Sequence, residues 1–207
     1  MKTEIIPSVF ATTLEGFDVR FRLARKLHNK IHVDIMDGFF VESESPGISL
    51  LPNFKGAQVH LMVDSPEDYI KYASQKKAKS VIFHIETSGK NAEGLIKLAH
   101  KLKMKAFIAI NPETSIGRLK NLTDKADGFL IMGVHPGKEK QSIDRKIFER
   151  IKFTRNITNK PIMVDGGVKL GNIKKLSSAG ANVIISGSYI FNSKNPKTAY
   201  SLLLKSI

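Results

Sequence analysis

The stretch His32-Val33-Asp34-Ile35-Met36-Asp37-Gly38 sets a histidine and a carboxylate two residues apart inside an apolar run. Side chains alternate along a strand, so His32, Asp34 and Met36 share one face and Ile31, Val33 and Ile35 the other. Other apolar runs are also broken near their carboxyl ends. His60 interrupts Val59-His60-Leu61-Met62, His84 and Glu86 interrupt Phe83-His84-Ile85-Glu86, and Asp165 precedes Gly166-Gly167. A charge in apolar surroundings is costly unless paired or ligated, and neighbouring carboxylates raise each other's pKa. A divalent cation resolves both problems. The set His32, Asp34, His60 and Asp165, delivered by the polar ends of four strands, suits zinc, iron, manganese or cobalt. One such histidine alone is equally well read as a buried residue satisfied by backbone, but four polar residues at matching strand ends are not. His84 fits either a supporting or a structural role. His28, His100 and His135 fall on helical or loop segments and read as surface residues.

A second chemistry sits in three glycine turns: His135-Pro136-Gly137-Lys138, Asp165-Gly166-Gly167-Val168 and Ser186-Gly187-Ser188. Glycine lets backbone N–H groups approach an anion closely, and a helix N-terminus adds partial positive charge. One such turn is ordinary turn chemistry. Three after consecutive strands favour a phosphate site.

These residues need a scaffold that brings strand ends to one rim. Eight short apolar runs read as strands: Glu4–Ser8, Lys30–Met36, Ala57–Met62, Ser80–His84, Lys105–Ile110, Gly128–Met132, Pro161–Asp165 and Asn182–Ser186. Between them lie stripes with helical spacing: Phe17, Phe21 and Ala24; Leu95, Leu98, Ala99 and Leu102; Ile147, Phe148 and Ile151; Ile173 and Leu176; Ala199, Leu202 and Leu203. The link holding Glu42-Ser43-Glu44-Ser45-Pro46-Gly47 is the least regular. Alternating strands and helices imply a parallel sheet with right-handed crossovers. Eight such units predict a single (β/α)₈ TIM-barrel domain over residues 1–207, whose active site lies at the carboxyl ends of the strands. An open doubly wound sheet would carry a Gly-rich turn after the first strand, and Pro7-Ser8-Val9-Phe10 is not one.

Composition narrows the classes further. The 207 residues include no cysteine, which excludes disulfides and thiolate chemistry, and no apolar run is long enough to span a bilayer. With 42% hydrophobic and 25% charged residues, the expectation is a soluble cytoplasmic protein. The net charge of +14 comes from lysines spread over nearly every helical segment, so a solvated basic surface is favoured over nucleic-acid binding. That field would attract a phosphorylated substrate.

Taken together, these motifs resemble the ribulose-phosphate 3-epimerase family. The matching residues are Pro7-Ser8, His32-Val33-Asp34-Ile35-Met36-Asp37-Gly38, His60-Leu61-Met62-Val63 and Phe83-His84-Ile85-Glu86. They continue with Met132, Val134-x-Pro136-Gly137, Gln141, Val164-Asp165-Gly166-Gly167-Val168 and Ser186-Gly187-Ser188, in family order along almost the whole chain. The resemblance implies a ribulose-phosphate-binding type of barrel and one divalent metal on His32, Asp34, His60 and Asp165. It implies Asp34 and Asp165 as the acid/base pair acting through an enediolate, and a small-molecule ketose phosphate as partner. Ser8 and His60 would touch substrate, as would Gly137, Lys138, Glu139, Lys140, Gly166, Gly167, Gly187 and Ser188. Met36, Met62 and Met132 would form an apolar floor, and the assembly would be a homo-oligomer.

The chain departs from the family at four places. Lys138-Glu139-Lys140 stands where a Gly-rich stretch is usual, Phe39 where His is usual, Glu42-Ser43 where Pro-Asn is usual, and Gly133 where a small hydroxyl residue is common. D-Ribulose 5-phosphate is the expected substrate. A six-carbon ketose phosphate such as allulose 6-phosphate remains the alternative, ahead of a metal-assisted aldolase or decarboxylase on the same barrel. A non-enzymatic RNA-binding protein is the remaining class.

Overall fold

A computed structural model describes residues 3–207. Its strands are β1 (Glu4–Val9), β2 (His32–Met36), β3 (Gln58–Met62), β4 (Ser80–His84), β5 (Lys105–Ile110), β6 (Gly128–Met132), β7 (Ile162–Asp165) and β8 (Val183–Ser186). Each pairs in parallel with its neighbours, and β8 closes on β1, giving a closed barrel in sequence order. The helices are α1 (Leu14–Leu27), α2 (Pro66–Gln75), α3 (Ile85–Ser88), α4 (Ala92–Lys101), α5 (Ile147–Ile157), α6 (Leu170–Ala179), α7 (Ser188–Phe191) and α8 (Pro196–Leu204).

The strands are legible because both faces are buried, so they read as continuous apolar runs. Alternation then sorts the side chains. On β5, Phe107 and Ala109 join Ile82, Leu130, Met132, Met163 and Ile185 inside the barrel. Ala106, Ile108 and Ile110 join the larger cluster under the helices, along with Ile31, Val33 and Ile35 from β2. Met36, Met62 and Val41 form a separate small cluster, with Phe10 and Phe40 packed against it.

Caps mark several helix starts. The Thr13 hydroxyl accepts from the Gly16 amide at 3.1 Å, and Asn195 caps α8 just before Pro196. Helix α6 ends at Gly180, whose φ of +117° suits a left-handed cap.

Four expectations change. Helix α2, with Ile70 and Ala73 buried, was not among the predicted stripes. The links after β2 and after β5 hold only 3₁₀ turns, at Ile48–Leu50 and Ile116–Leu122. Ile85 and Glu86, read as part of the polar end of the fourth run, lie beyond the strand and open α3, because His84 is the last residue to pair with β5. Leu202, assigned to the buried stripe of the last helix, is 44% exposed, and Tyr200 packs in with Ala199 and Leu203 instead.

Gly128, opening β6, is a point of close approach at the amino end of the barrel strands. A Cβ there would lie 2.4 Å from the Pro161 carbonyl oxygen and 2.8 Å from the Phe107 ring. Gly128→Ala is therefore expected to destabilise the fold by about 1–3 kcal/mol, even though alanine suits a strand better than glycine. Urea unfolding measures this directly: the midpoint falls at constant slope, and an unchanged or higher midpoint contradicts the packing.

Candidate metal centre and active site

Register brings the polar residues together. Asp34 on β2 pairs across from His60 on β3, Ser8 on β1 from His32, and Met132 on β6 from Asp165 on β7. Parallel partners in a barrel project to the same side, so these side chains meet inside the rim. Three strands, not four, supply the set: β2 twice, then β3 and β7. His84 from β4 stands behind His60.

One ligand atom from each of His32, Asp34, His60 and Asp165 lies within 4.8 Å of every other. His60 Nδ1 is 3.1 Å from Asp34 Oδ1 and 3.7 Å from Asp165 Oδ2. His32 Nε2 is 3.4 Å and 3.8 Å from the same two oxygens. Both histidines are fully buried, and the two aspartates retain only a narrow exposure on the cleft side.

Proton placement on the two rings follows from what lies behind them. His32 Nδ1 faces the Gln58 side-chain oxygen at 3.2 Å and donates to it, which leaves Nε2 with its lone pair, and no hydrogen-bond partner among the described residues reaches that atom. Glu86 accepts from the Asn111 amide at 2.9 Å and faces His84 Nδ1 at 3.2 Å. Burial opposes ionisation of Glu86, but hydrogen bonds from His84, Thr114 and Asn111 hold it at about 2. His84 Nδ1 must then donate to Glu86, and His84 Nε2 accepts from His60 Nε2 at 2.9 Å. His60 Nδ1 is thereby left bare, facing Asp34.

With both rings neutral, two imidazole lone pairs and two carboxylates thus converge with no donor among the four. The space calls for positive charge. Burial works against protonating His32, yet Asp34 and Asp165 raise its pKa overall. Burial likewise disfavours the charged form of Asp34, but the His32 and His60 rings hold it well below the usual carboxylate range. Burial and the Asp34 charge push Asp165 up, while burial drops His60 to about 4 despite Asp34. A His₂Asp₂ donor set with an orphaned buried nitrogen fits a divalent cation, and hydrogen bonds from behind the rings, like those of Gln58 and His84, are what orient metal-binding imidazoles.

The two aspartates open onto a cleft of about 560 Å³, part of it continuous with solvent. Its walls carry Ser8, Gly137, Lys138, Glu139, Lys140, Gly166, Gly167, Gly187 and Ser188, all singled out from the sequence. Gly166 and Gly167 adopt φ of +93° and +68°, and a Cβ on Gly166 would fall 2.4 Å from a Val134 methyl, so only glycine fits that turn. Met62 and Met132 also line the cleft, whereas Met36 packs against Met62 and Val41. His60, expected to touch substrate, does not reach the cleft surface: the ring is fully buried between Asp34 on one side and His84 on the other. The Ser8 hydroxyl donates to Asp34 Oδ2 at 2.6 Å.

Other expectations resolve locally. Asp37 is a loop clamp: its carboxylate accepts from the Phe39, Phe40 and Asp64 amides at 2.9, 3.0 and 2.7 Å. Phe39 is 88% exposed and outside the cleft. His28 is half-buried against Tyr200 and hydrogen-bonded to the Lys30 backbone, not a surface residue. His100 and His135 are exposed as expected. Sequence reading placed Ser186 in a glycine turn but gave its side chain no role; its buried hydroxyl has no partner among the described residues and belongs to the cleft wall, and Arg20, which grips Glu139, was missed. Ser186 was visible as the strand-end residue before Gly187. Nothing in the local sequence marks Arg20.

Comparison with known proteins agrees with this architecture. The Ribulose-phosphate 3 epimerase family matches residues 4–191. The chain is 32% identical to a ribulose-phosphate 3-epimerase of Buchnera aphidicola subsp. Baizongia pistaciae, over 92% of this chain and 87% of that protein. It is 31% identical to the cytoplasmic isoform of ribulose-phosphate 3-epimerase from Oryza sativa subsp. japonica, over 99% and 94%. A solved 3-hexulose-6-phosphate synthase superposes with a TM-score of 0.72 over the full length of both chains, at 17% identity, a likeness of fold alone. Among the described residues no helix is long and apolar enough to cross a membrane. With the family match spanning nearly the whole barrel, the chain belongs to the ribulose-phosphate 3-epimerase family of carbohydrate isomerases.

Proposed function

We propose that this chain inverts C3 of a ketose phosphate, interconverting D-ribulose 5-phosphate and D-xylulose 5-phosphate through an enediolate. The observation that carries the reading is the division of the polar set. Both carboxylates open onto the cleft, while the two histidines that share their space are shut away from it.

Inversion next to a carbonyl needs a proton removed from one face and another returned to the opposite face. One aspartate takes the proton from C3, and the C–H electron pair moves through C2 onto the carbonyl oxygen. The other aspartate delivers a proton to the opposite face of C3 as the carbonyl re-forms, and the roles exchange in the reverse direction. Ser8, hydrogen-bonded to Asp34 Oδ2, fixes the orientation of that carboxylate. Met62, Met132 and Ile185 give the cleft an apolar wall that keeps bulk water from the enediolate. His32 and His60, with Asp34 and Asp165, would hold a divalent cation, which would offset the repulsion between the two carboxylates and the charge developing on the substrate oxygens, while one aspartate at a time carries the proton in transit. The turns at Gly137–Lys140, Gly166-Gly167 and Gly187-Ser188 take the phosphate end through backbone N–H groups. The lysines of the cleft wall, Lys138 and Lys140, lie on that loop and not at a strand end, which disfavours the aldolase and decarboxylase reading.

Asp34→Asn and Asp165→Asn should each cut exchange of the substrate C3 proton with deuterated solvent by about 10²–10⁴. NMR of the ketose phosphate reads this, and wild-type exchange in either variant sinks the two-aspartate assignment. Relative kcat/KM for ribulose 5-phosphate and allulose 6-phosphate decides the sugar: a preference for the six-carbon substrate overturns the pentulose reading.

For the metal, elemental analysis should find about one divalent ion per chain, falling to trace in His32→Ala. Chelation should lower the melting temperature of the wild type, since an ion at a hundred times its Kd adds about 2.7 kcal/mol. A metal-free wild type whose melting point ignores both chelator and added ion would contradict the metal assignment.

A further inference from the structure

The loop after β6 presents an acidic residue, Glu139, to the cleft wall where a phosphate is to sit. An unpaired carboxylate there would repel the ligand. It is not unpaired. Arg20 on α1 grips it with both terminal nitrogens, at 2.8 Å to Oε1 and 3.1 Å to Oε2, and both side chains are only 21% exposed. The same guanidinium donates to the Phe10 carbonyl at 2.5 Å and to the Asn192 side-chain oxygen at 3.2 Å. One side chain therefore ties three segments around the cleft: the loop leaving β1, the loop leaving β6, and the residue that ends α7.

The remaining charges of the loop are also arranged. Lys138 pairs with Glu42 at 2.7 Å, while Lys140 forms no ion pair among the described residues and lines the cleft. Lys140 is held in the left-handed region at φ +62°. The Gln141 amide donates to the His135 and Lys138 carbonyls at 2.6 and 2.9 Å, bracing the turn from within. With Glu139 cancelled by Arg20, the loop shows the cleft one uncompensated positive charge.

We propose that Arg20 is a positioning residue for phosphate binding: by neutralising and immobilising Glu139, it lets the Lys138–Lys140 loop serve as an anion site. The inference rests on the reading of the cleft as a ketose-phosphate site. Arginine suits the task because its planar fork meets a carboxylate at two points, which lysine cannot do.

The test is a double-mutant cycle read by KM, kcat and the Kd for inorganic phosphate, with melting temperatures to verify folding. Arg20→Ala should raise KM and the phosphate Kd by roughly tenfold or more, with kcat much less affected, because Glu139 is released into the anion site. Adding Glu139→Gln to Arg20→Ala should recover most of that loss, since the repelling charge is gone. Arg20→Lys should fall between wild type and Arg20→Ala, and it carries the test if the alanine variant does not fold. Phosphate affinity unchanged in Arg20→Ala overturns the proposal. So does a double variant as impaired as the single one, which would place the role of Arg20 in the Phe10 and Asn192 contacts alone. A wild type that binds neither inorganic phosphate nor a ketose phosphate overturns the reading of the cleft itself, and the inference with it.

Discussion

Four electron-rich atoms aimed at one small space at the mouth of a closed barrel form the constraint on which the site depends. Two carboxylates and two bare imidazole nitrogens within 4.8 Å repel one another, and burial removes the water that would screen them. Positive charge at its centre would stabilise the arrangement. The hydrogen bonds behind the histidines reinforce this preference. Gln58 behind His32, and Glu86 through His84 behind His60, hold the ring protons on the far sides. A different partner at either place would let the ring turn its N–H inward and relieve the conflict without an ion.

The barrel supplies the rest of the constraint through register. His60 and Asp34 are neighbours because β2 and β3 pair in one register, and a slip of one residue in either strand would turn its polar residue to the outer face. Ile31, Val33 and Ile35 hold that register from outside by packing into the larger core, so the site's geometry is enforced by residues that never touch it. Phosphate and proton chemistry meet for a similar reason. Asp165 ends β7 and Gly166-Gly167 begin immediately after it, so the carboxylate proposed to move the proton and the turn proposed to take the phosphate are successive residues of one chain segment.

What was legible in the sequence is what repeats locally. Strands β4, β5 and β6 match the apolar runs residue for residue, because a strand buried on both faces carries its own signature. His32 and Asp34 were legible as period-two polar breaks in such a run. Helix α2 escaped because its buried positions, Pro66, Ile70 and Ala73, include only one large aliphatic side chain, with polar residues between them. The proton order through His84 and Glu86 could not be read, since it depends on which nitrogen faces which atom across β3 and β4. Arg20 and Glu139 lie 119 residues apart, and no periodicity joins them.

The departures from the family pattern illustrate the same limit from the other side. Read along the chain, Glu42-Ser43 and Lys138-Glu139-Lys140 are separate anomalies. In space they are one adjustment: Glu42 pairs with Lys138, and the Ser43 hydroxyl donates to the Gly137 carbonyl at 2.6 Å. Val41 packs so closely that a Cβ on Gly137 would lie 2.6 Å from it, so the loops after β2 and β6 must change together. A glycine-rich turn offers an anion bare backbone and flexibility. A turn with three charged side chains gains positive charge but must cancel its acidic member and restrain its lysines. Glu42, Ser43 and Gln141 supply the restraint and Arg20 the cancellation, so the departure in the turn entails partners that no local reading of the chain would connect to it.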